Sequence, residues 1–288
     1  MPFELHFPTT FEEAWALLEK DPPGSALPLA GGTDLLLAME FRRFSPRHVV
    51  SLSRLPLQAY EMGPEEVRIG SLVPLRTLEL DPRLRARLPA LVEAIAEVGS
   101  VQLRHRATLG GNVVRSSSSS DLLPPLIALR SHLTLRSREG QRTMPLEEFV
   151  QGSWKTGLRP GELVEDVRVP LPRPGTYRWQ RVRPANDISQ VGLAVVRHPA
   201  RAGGPRWNLV AGGTTPTVQR LLRAESALVS EEPSQEEVAL AAQRAAEEAR
   251  FVTDLRAAEE YRRHLLQVLV RRGVEDVLRS PLSKEVGG

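Results

Sequence analysis

The chain has 288 residues, 41% of them hydrophobic and 25% charged, and carries a net charge of +3. Such a length exceeds what one core usually serves and implies two or three subdomains, while so small a net charge argues against nucleic acid as a partner. Cysteine is absent, which excludes a disulfide, a thiolate zinc site, an iron–sulfur cluster and a cysteine nucleophile on this chain.

In chain order, Thr10 and Glu13 have capping-box spacing ahead of the helix "FEEAWALLEK", whose apolar face is Ala14, Trp15, Leu17 and Leu18. "PGSALPLAGGTDLLLAMEF" reads as strand, glycine turn and helix, and "HVVSLSRL" as a further strand. From Tyr60, "EVRIGSLVPLRTL" reads as a strand and its turn. "DPRLRARLPALVEAIAEVGS" follows as one helix, with Leu84, Leu88, Leu91, Ile95 and Val98 on a stripe and Gly99 as its stop. After the serine run at 116–120 come a hairpin turning at Glu139–Gly140 and the strand "ELVEDVRVPLP". "PRPG" at 172–175 marks a boundary, beyond which "TYRWQRVR", "ISQVGLAVVRH" and "RWNLVAGG" read as three antiparallel strands. From Pro233 onward the pattern is helical, over "SQEEVALAAQRAAEEA" and "LRAAEEYRRHLLQVLVRRGVEDVLR". The domains expected are 1–57, 58–174 and 175–288.

The six histidines show no H-x-x-x-H or H-x-H spacing, so no metal site is expected. "RHR" at 104–106 reads as solvated surface. No apolar run approaches the roughly 20 residues of a membrane span, and "MPFELHFPTT" lacks a basic stretch followed by an apolar one. Cytoplasm is the expected compartment.

Two glycine loops have related chemistry: Ala30-Gly31-Gly32-Thr33-Asp34-Leu35 and Ala107-Thr108-Leu109-Gly110-Gly111-Asn112. Glycine permits positive φ and removes the Cβ that blocks a ligand, so successive N–H groups can converge on phosphate oxygens. Thr33, Thr108 and Asn112 add side-chain donors, and two such loops suit a pyrophosphate better than a lone phosphate. Either loop alone is also a common turn, and Thr33 or Asp34 also suits a helix cap. "AGGTTP" at 211–216 reads as a turn into a helix.

Taken in order, "LHFPTTFEEAWALL" (5–18), "LAGGTDLLLAM" (29–39), "RIGSLVPLRTLE" (68–79), "ATLGGNVVRSSSSSDLLPPLIAL" (107–129), "PLEEFVQGSWKTGLRPGELVEDVRVP" (145–170) and "NDISQVGLAVV" (186–196) resemble one family. It is the FAD-binding subunit, subunit M, of molybdenum hydroxylases, a group that includes xanthine dehydrogenase and carbon monoxide dehydrogenase. The resemblance implies an α+β fold. A two-part FAD-binding domain of the vanillyl-alcohol-oxidase-like (PCMH) type would be followed by a three-stranded antiparallel sheet with helices. It also implies FAD, with Leu29 and Ala30 to Leu35 around the pyrophosphate and ribose, and Ala107, Thr108, Gly110, Gly111 and Asn112 as the second phosphate wall. Val114, Ser120 and Asp121 would line the cofactor beyond it, with Asp121 accepting from a sugar or ribityl hydroxyl, and Val164 would pack near a ring. Trp179 stands where relatives often carry lysine, and Arg115 where small residues are usual.

The partners implied are a molybdenum-cofactor subunit and an iron–sulfur subunit, with NAD or another molecule as electron acceptor. Two rivals stay open: a non-catalytic member that has lost FAD, and a stand-alone flavin oxidoreductase.

Overall fold

A computed structural model describes residues 3–19, 22, 24–171, 173–183, 186–199, 206–215 and 217–280. Pro172 of the "PRPG" boundary, Pro216 of "AGGTTP" and the end of the expected third domain, 281–288, lie outside the described residues.

The first layer is a parallel sheet of β1 (Glu4–His6), β2 (Ala26–Leu29) and β3 (His48–Ser51), ordered β1-β3-β2. Helix α1 (Phe11–Leu18) packs on it, burying Ala14 and Trp15, and α2 (Leu35–Glu40) follows the first glycine loop. Thr10 caps α1 by accepting from the Glu13 N–H; the Glu13 carboxylate instead accepts from the Thr9 N–H, so the box is offset by one residue.

The second sheet begins with β4 (Tyr60–Met62) and β5 (Glu66–Gly70), and four short helices follow: α3 (Leu75–Leu80), α4 (Pro82–Arg87), α5 (Pro89–Glu97) and α6 (Val101–Arg106). The single helix expected over 82–98 is two. A residue before proline is driven out of the α region, and Leu88 accordingly sits at φ −136°, ψ 61°. The stripe survives the break: Leu84, Leu88, Leu91 and Ile95 are all fully buried. Gly99, at φ +53°, ends α5 as expected. Arg104 of the supposedly solvated "RHR" is buried, its Nε and Nη2 donating side-on to both carboxylate oxygens of Glu79 on α3 at 2.7 and 3.0 Å, and its Nη1 to the Val98 carbonyl. That clamp sets the position from which the chain enters the second glycine loop.

Next come α7 (Leu109–Arg115) and α8 (Leu123–Ala128), then the hairpin of β6 (His132–Ser137) and β7 (Gly140–Pro145). Helix α9 (Leu146–Phe149) and the small pair β8 (Val150–Gly152) and β9 (Lys155–Thr156) lead to β10 (Leu163–Pro170). The sheet is antiparallel throughout, ordered β4-β5-β10-β6-β7, with a bulge in β10 between Val164 and Asp166.

The third sheet contains β11 (Gly175–Gln180), β12 (Val191–Arg197), β13 (Trp207–Gly212) and the two-residue β14 (Gln219–Arg220), in that order. It therefore has four strands where three are expected, because the "AGGTT" turn feeds a short edge strand before α10 (Leu222–Glu225). Helices α11 (Gln235–Glu248) and α12 (Glu259–Arg279) are the last elements among the described residues. The last begins four residues later than its apolar pattern suggests, since the Asp254 carboxylate accepts from the N–H groups of Arg256 and Ala257 and holds that stretch in a turn.

Both faces of the third sheet are covered. Val191, Leu193, Val195, Trp207 and Leu209 join the core formed with α10–α12, whereas Ala194, Val196 and Val210 join the core of the second layer. Two-sided burial explains why "VGLAVV" is continuously apolar instead of alternating. A buried polar contact also seats this sheet: His198 Nε2 and Asn208 Nδ2 both donate to the Ala128 carbonyl at the end of α8, at 2.9 and 3.0 Å.

Burial, with the nearby Arg130 charge second, lowers the His198 pKa from 6.5 to about 3. A histidine held neutral in the fold lets the unfolded chain take up the proton first, so its contribution is complete above pH 6.5 and drains away as pH falls toward 3. Replacing His198 with glutamine, which keeps a donor for Ala128, should remove this slope. Denaturant titrations should show the wild type losing about 1 kcal/mol per pH unit relative to His198→Gln below pH 6.5. Parallel pH curves for the two proteins would contradict a buried neutral imidazole.

Candidate functional site

The two glycine loops meet. A Cβ on Gly31 would lie 1.9 Å from the Arg106 carbonyl oxygen and 3.2 Å from Ala107 Cα, so the backbones touch only because residue 31 has no side chain. Gly32 adopts φ +83°, the left-handed conformation that turns the chain from β2 into α2. The N–H groups of Gly31, Gly32 and Thr33 find no acceptor among the described residues. Asp34 precedes α2 but makes no capping bond, so the cap reading does not hold for it.

The second loop differs from expectation in being helical. Thr108 is the N-cap of α7, its hydroxyl accepting from the Gly111 N–H at 3.1 Å, and Gly110 and Gly111 lie in the first turn. The preceding segment runs beside residues 71–75: Leu75 N–H donates to Ala107, Leu109 to Val73 and Gly110 to Ser71. A Cβ on Gly110 would meet Ser71 Cβ at 2.4 Å, so this glycine serves packing against β5's continuation. Gly111 is different. Its Cβ would meet only the Thr108 hydroxyl at 3.0 Å and Ala30 Cβ at 3.7 Å, which leaves a groove between the loops that a larger side chain would fill.

The serine run folds back on this groove. Ser120 donates to Asn112 Oδ1 at 2.7 Å and accepts from the Leu122 N–H, while the Ser118 carbonyl accepts from Gly213 of the third sheet. Ser116 caps α7 in the left-handed conformation at φ +50°, and its buried hydroxyl has no partner among the described residues. Val114 is half-buried on α7; Val164 is buried in the same core as Ala107 and Val113.

Asp121, at the end of the run, does not cap α8. Its Oδ1 accepts from the Tyr177 hydroxyl at 2.7 Å and the Ser189 hydroxyl at 2.8 Å, and its Oδ2 from Arg181 at 3.0 Å. Arg181 also reaches Glu97 at 2.8 Å, and Trp179 stacks on Tyr177 at 5.9 Å. Burial pushes the Asp121 carboxyl above the usual carboxylate range against the pull of Arg181, and burial likewise raises the Tyr177 hydroxyl, which stays a donor. Asp121 and Trp179 are thus joined to each other across the junction with the third sheet, one step removed from the glycine loops.

Residues beyond the sequence reading close the other end. Arg115 reaches from the last turn of α7 to Asp34 at 3.3 Å, donates to Ser153 and lies 4.5 Å over the ring of Trp154, which Arg43 approaches at 5.8 Å. Trp154 takes φ +63°, and its N–H donates to the Arg115 carbonyl. Arg115 is flagged in the sequence by its size; nothing local flags Trp154, Tyr177 or Arg181 as its neighbours or those of Asp121.

Comparison with known proteins gives the family. Residues 1–172 match the family model described as the FAD binding domain in molybdopterin dehydrogenase, and residues 176–277 match the CO dehydrogenase flavoprotein C-terminal domain. The chain belongs to this flavoprotein family. It is 30% identical to the carbon monoxide dehydrogenase medium chain of Hydrogenophaga pseudoflava over 94% of this chain and 96% of that one. To the nicotine 6-hydroxylase medium subunit of Paenarthrobacter nicotinovorans it is 29% identical, over 93% and 94%. A solved carbon monoxide dehydrogenase from Hydrogenophaga pseudoflava superposes with a TM-score of 0.89 at 29% identity, covering 96% of this chain and 98% of the other. The cofactor of this flavoprotein is FAD, and the chain is an FAD-binding medium subunit of the molybdenum-hydroxylase type, part of an oxidoreductase. Among the described residues no helix is long and apolar enough to cross a membrane.

The residues present fit that cofactor: uncommitted backbone donors in the first loop face a second loop whose Gly111 leaves space beside Ala30. For Asp121, substitution by asparagine should leave Arg181 with Glu97 as its one carboxylate partner and set an amide against two hydroxyl donors, costing about 1.5–3 kcal/mol. Asp121→Asn should therefore unfold at clearly lower denaturant concentration, and Tyr177→Phe, which removes one neutral donor, at a midpoint between. An Asp121→Asn protein as stable as wild type would mean that this carboxylate does not hold the third sheet.

Proposed function

We propose that the apposed glycine loops hold the FAD pyrophosphate, with Leu29 to Leu35 on one side and Ala107, Thr108, Gly110, Gly111 and Asn112 on the other. The reading rests on one observation, the three consecutive N–H donors of Gly31, Gly32 and Thr33 without acceptors, set against the groove at Gly111. Backbone donors in that arrangement favour phosphate oxygens. Val114 and Ser120 would continue the wall, and Val164 and Trp179 would contribute apolar surface. Among the described residues Asp121 Oδ2 has a single protein donor, Arg181, and would offer its remaining lone pair to a cofactor hydroxyl. In this proposal residues 1–57 and 58–174 are the two halves that clasp FAD, and 175–288 seals them through the Asp121–Tyr177–Arg181 contacts.

The chain would act as the electron-transfer subunit of a cytoplasmic complex, between iron–sulfur clusters on one partner chain and NAD or another acceptor, with a molybdenum-cofactor subunit as the second partner. FAD supplies the capacity to take electrons singly and give them up as a pair, and that chemistry needs no catalytic cysteine or histidine from the protein. What this chain's residues contribute is grip and exclusion of water. Arg115 and Asp34 bridge the two loops at the mouth of the groove, and the Arg115 guanidinium, partly desolvated over Trp154, adds positive charge beside the phosphate donors.

Two measurements test this. Gly111 lies in helical backbone and incurs no φ penalty on substitution, so Gly111→Val fills the groove at the cost of a small shift of the Thr108 hydroxyl, 3.0 Å from the new Cβ. Flavin content should fall at least tenfold, about 1.4 kcal/mol of binding, while circular dichroism stays that of the wild type; full flavin occupancy would remove this groove from the cofactor site. Purified alone, the chain should carry FAD and neither iron nor molybdenum, and purified from its host it should bring down iron-containing and molybdenum-containing chains. Stoichiometric iron in the isolated chain would overturn the division of labour.

A further inference from the structure

The parallel pairing of the first and third strands brings together three metal-ligating side chains that are far apart or unpatterned in sequence. Glu4 stands opposite His48 in the β1–β3 register, and His6, two residues on, projects from the same face. Glu4 Oε2, His6 Nε2 and His48 Nδ1 form a triangle with edges of 3.1 Å between the two nitrogens, 3.1 Å from His48 to the carboxylate and 3.7 Å from His6 to the carboxylate. A tetrahedral zinc site with bonds of about 2.0–2.1 Å has ligand–ligand edges of about 3.3 Å. The three donor atoms thus already occupy the spacing of one tetrahedral face.

From this triangle we propose that Glu4, His6 and His48 bind one divalent transition-metal ion of the zinc class, with the fourth position open to water. Two imidazole nitrogens and one carboxylate oxygen are borderline donors that favour zinc and its neighbours over calcium or magnesium, which take oxygen ligands. Access is direct, since the side chains are 71%, 24% and 18% exposed for Glu4, His6 and His48 respectively. Without an ion the two facing nitrogens share one proton in a hydrogen bond; to bind an ion the donor ring carries that proton on its other nitrogen instead, and each ring offers a lone pair. The ion would staple the edge strand β1 to β3, whose other neighbour, β2, runs straight into the first glycine loop. Its role would be structural, and it stands apart from the flavin, which none of the three residues is proposed to touch.

The test uses the full, untagged, FAD-loaded chain, freed of metal by chelator and titrated with Zn²⁺ in a calorimeter and with Co²⁺ in a spectrophotometer. The site predicts one Zn²⁺ per chain with micromolar affinity or better, and a Co²⁺ band of tetrahedral intensity in the red, beyond oxidised flavin absorption. Losing one of three direct ligands should cost at least the ~10–100-fold typical of losing an outer-shell partner, so His48→Ala and, independently, His6→Ala should each weaken Zn²⁺ binding by tenfold or more and abolish the Co²⁺ band. Zn²⁺ should also raise the melting temperature of the wild type and not of either variant, both first checked by circular dichroism for a wild-type fold. Binding only at millimolar Zn²⁺, or equal binding by wild type and a folded variant, would leave the three residues as a hydrogen-bonded surface cluster and overturn the proposal.

Discussion

The contact between residue 31 and the Arg106–Ala107 backbone is the constraint on which the rest of the site depends. At that point two separate layers, one parallel and one antiparallel, approach so closely that any Cβ would overlap a carbonyl oxygen. The approach is possible because β2 delivers the chain into a glycine pair with one left-handed residue, and because the second layer presents bare backbone there. Glu79 holds Arg104 just upstream, and Ser71, Val73 and Leu75 bond the segment from the other side, so Arg106 and Ala107 have little freedom to retreat. A groove lined by backbone donors results, and its width is set by packing rather than by the donors themselves.

A second set of contacts decides where the third sheet sits. Buried ion pairs contribute little net stability when compared with well-packed apolar groups, yet losing one partner is expensive. Asp121 has Arg181, Tyr177 and Ser189 as partners, all from the third sheet and its connection, so its cost of separation falls on that one interface. Added to His198 and Asn208 on Ala128, and Gly213 on Ser118, these bonds make the serine segment and α8 a shared wall between the layers.

Arg115 illustrates how one large residue can be accommodated beside a glycine loop. Its stem leaves α7, and its guanidinium finds the Asp34 carboxylate of the first loop together with the Ser153 hydroxyl and the Trp154 ring outside the loops. Held there, it does not fill the space that Gly111 leaves open.

Local sequence determined much of this protein. The proline entry and cap of α1, the Gly99 stop, the existence of the β6–β7 hairpin, whose turn falls one residue earlier than expected at Arg138–Glu139, and the strands of the third sheet follow from turn chemistry and apolar pattern, which act over a few residues. The two glycine loops were legible as a pair because their order and company resemble one flavoprotein family. Tertiary structure alone decided that Gly110 and Gly111 are helical, since a Thr108 cap and bonds to Ser71 and Val73 outweigh the low helix propensity of glycine. It alone decided that Arg104 is buried, that Asp121 answers to Tyr177 and Arg181, and that Trp154 stacks under Arg115. The same holds for Glu4, His6 and His48, which a parallel strand pairing brings within bonding distance across more than forty residues. Each of these depends on partners far away in the chain, and the position of a distant partner is set by packing that no local window contains.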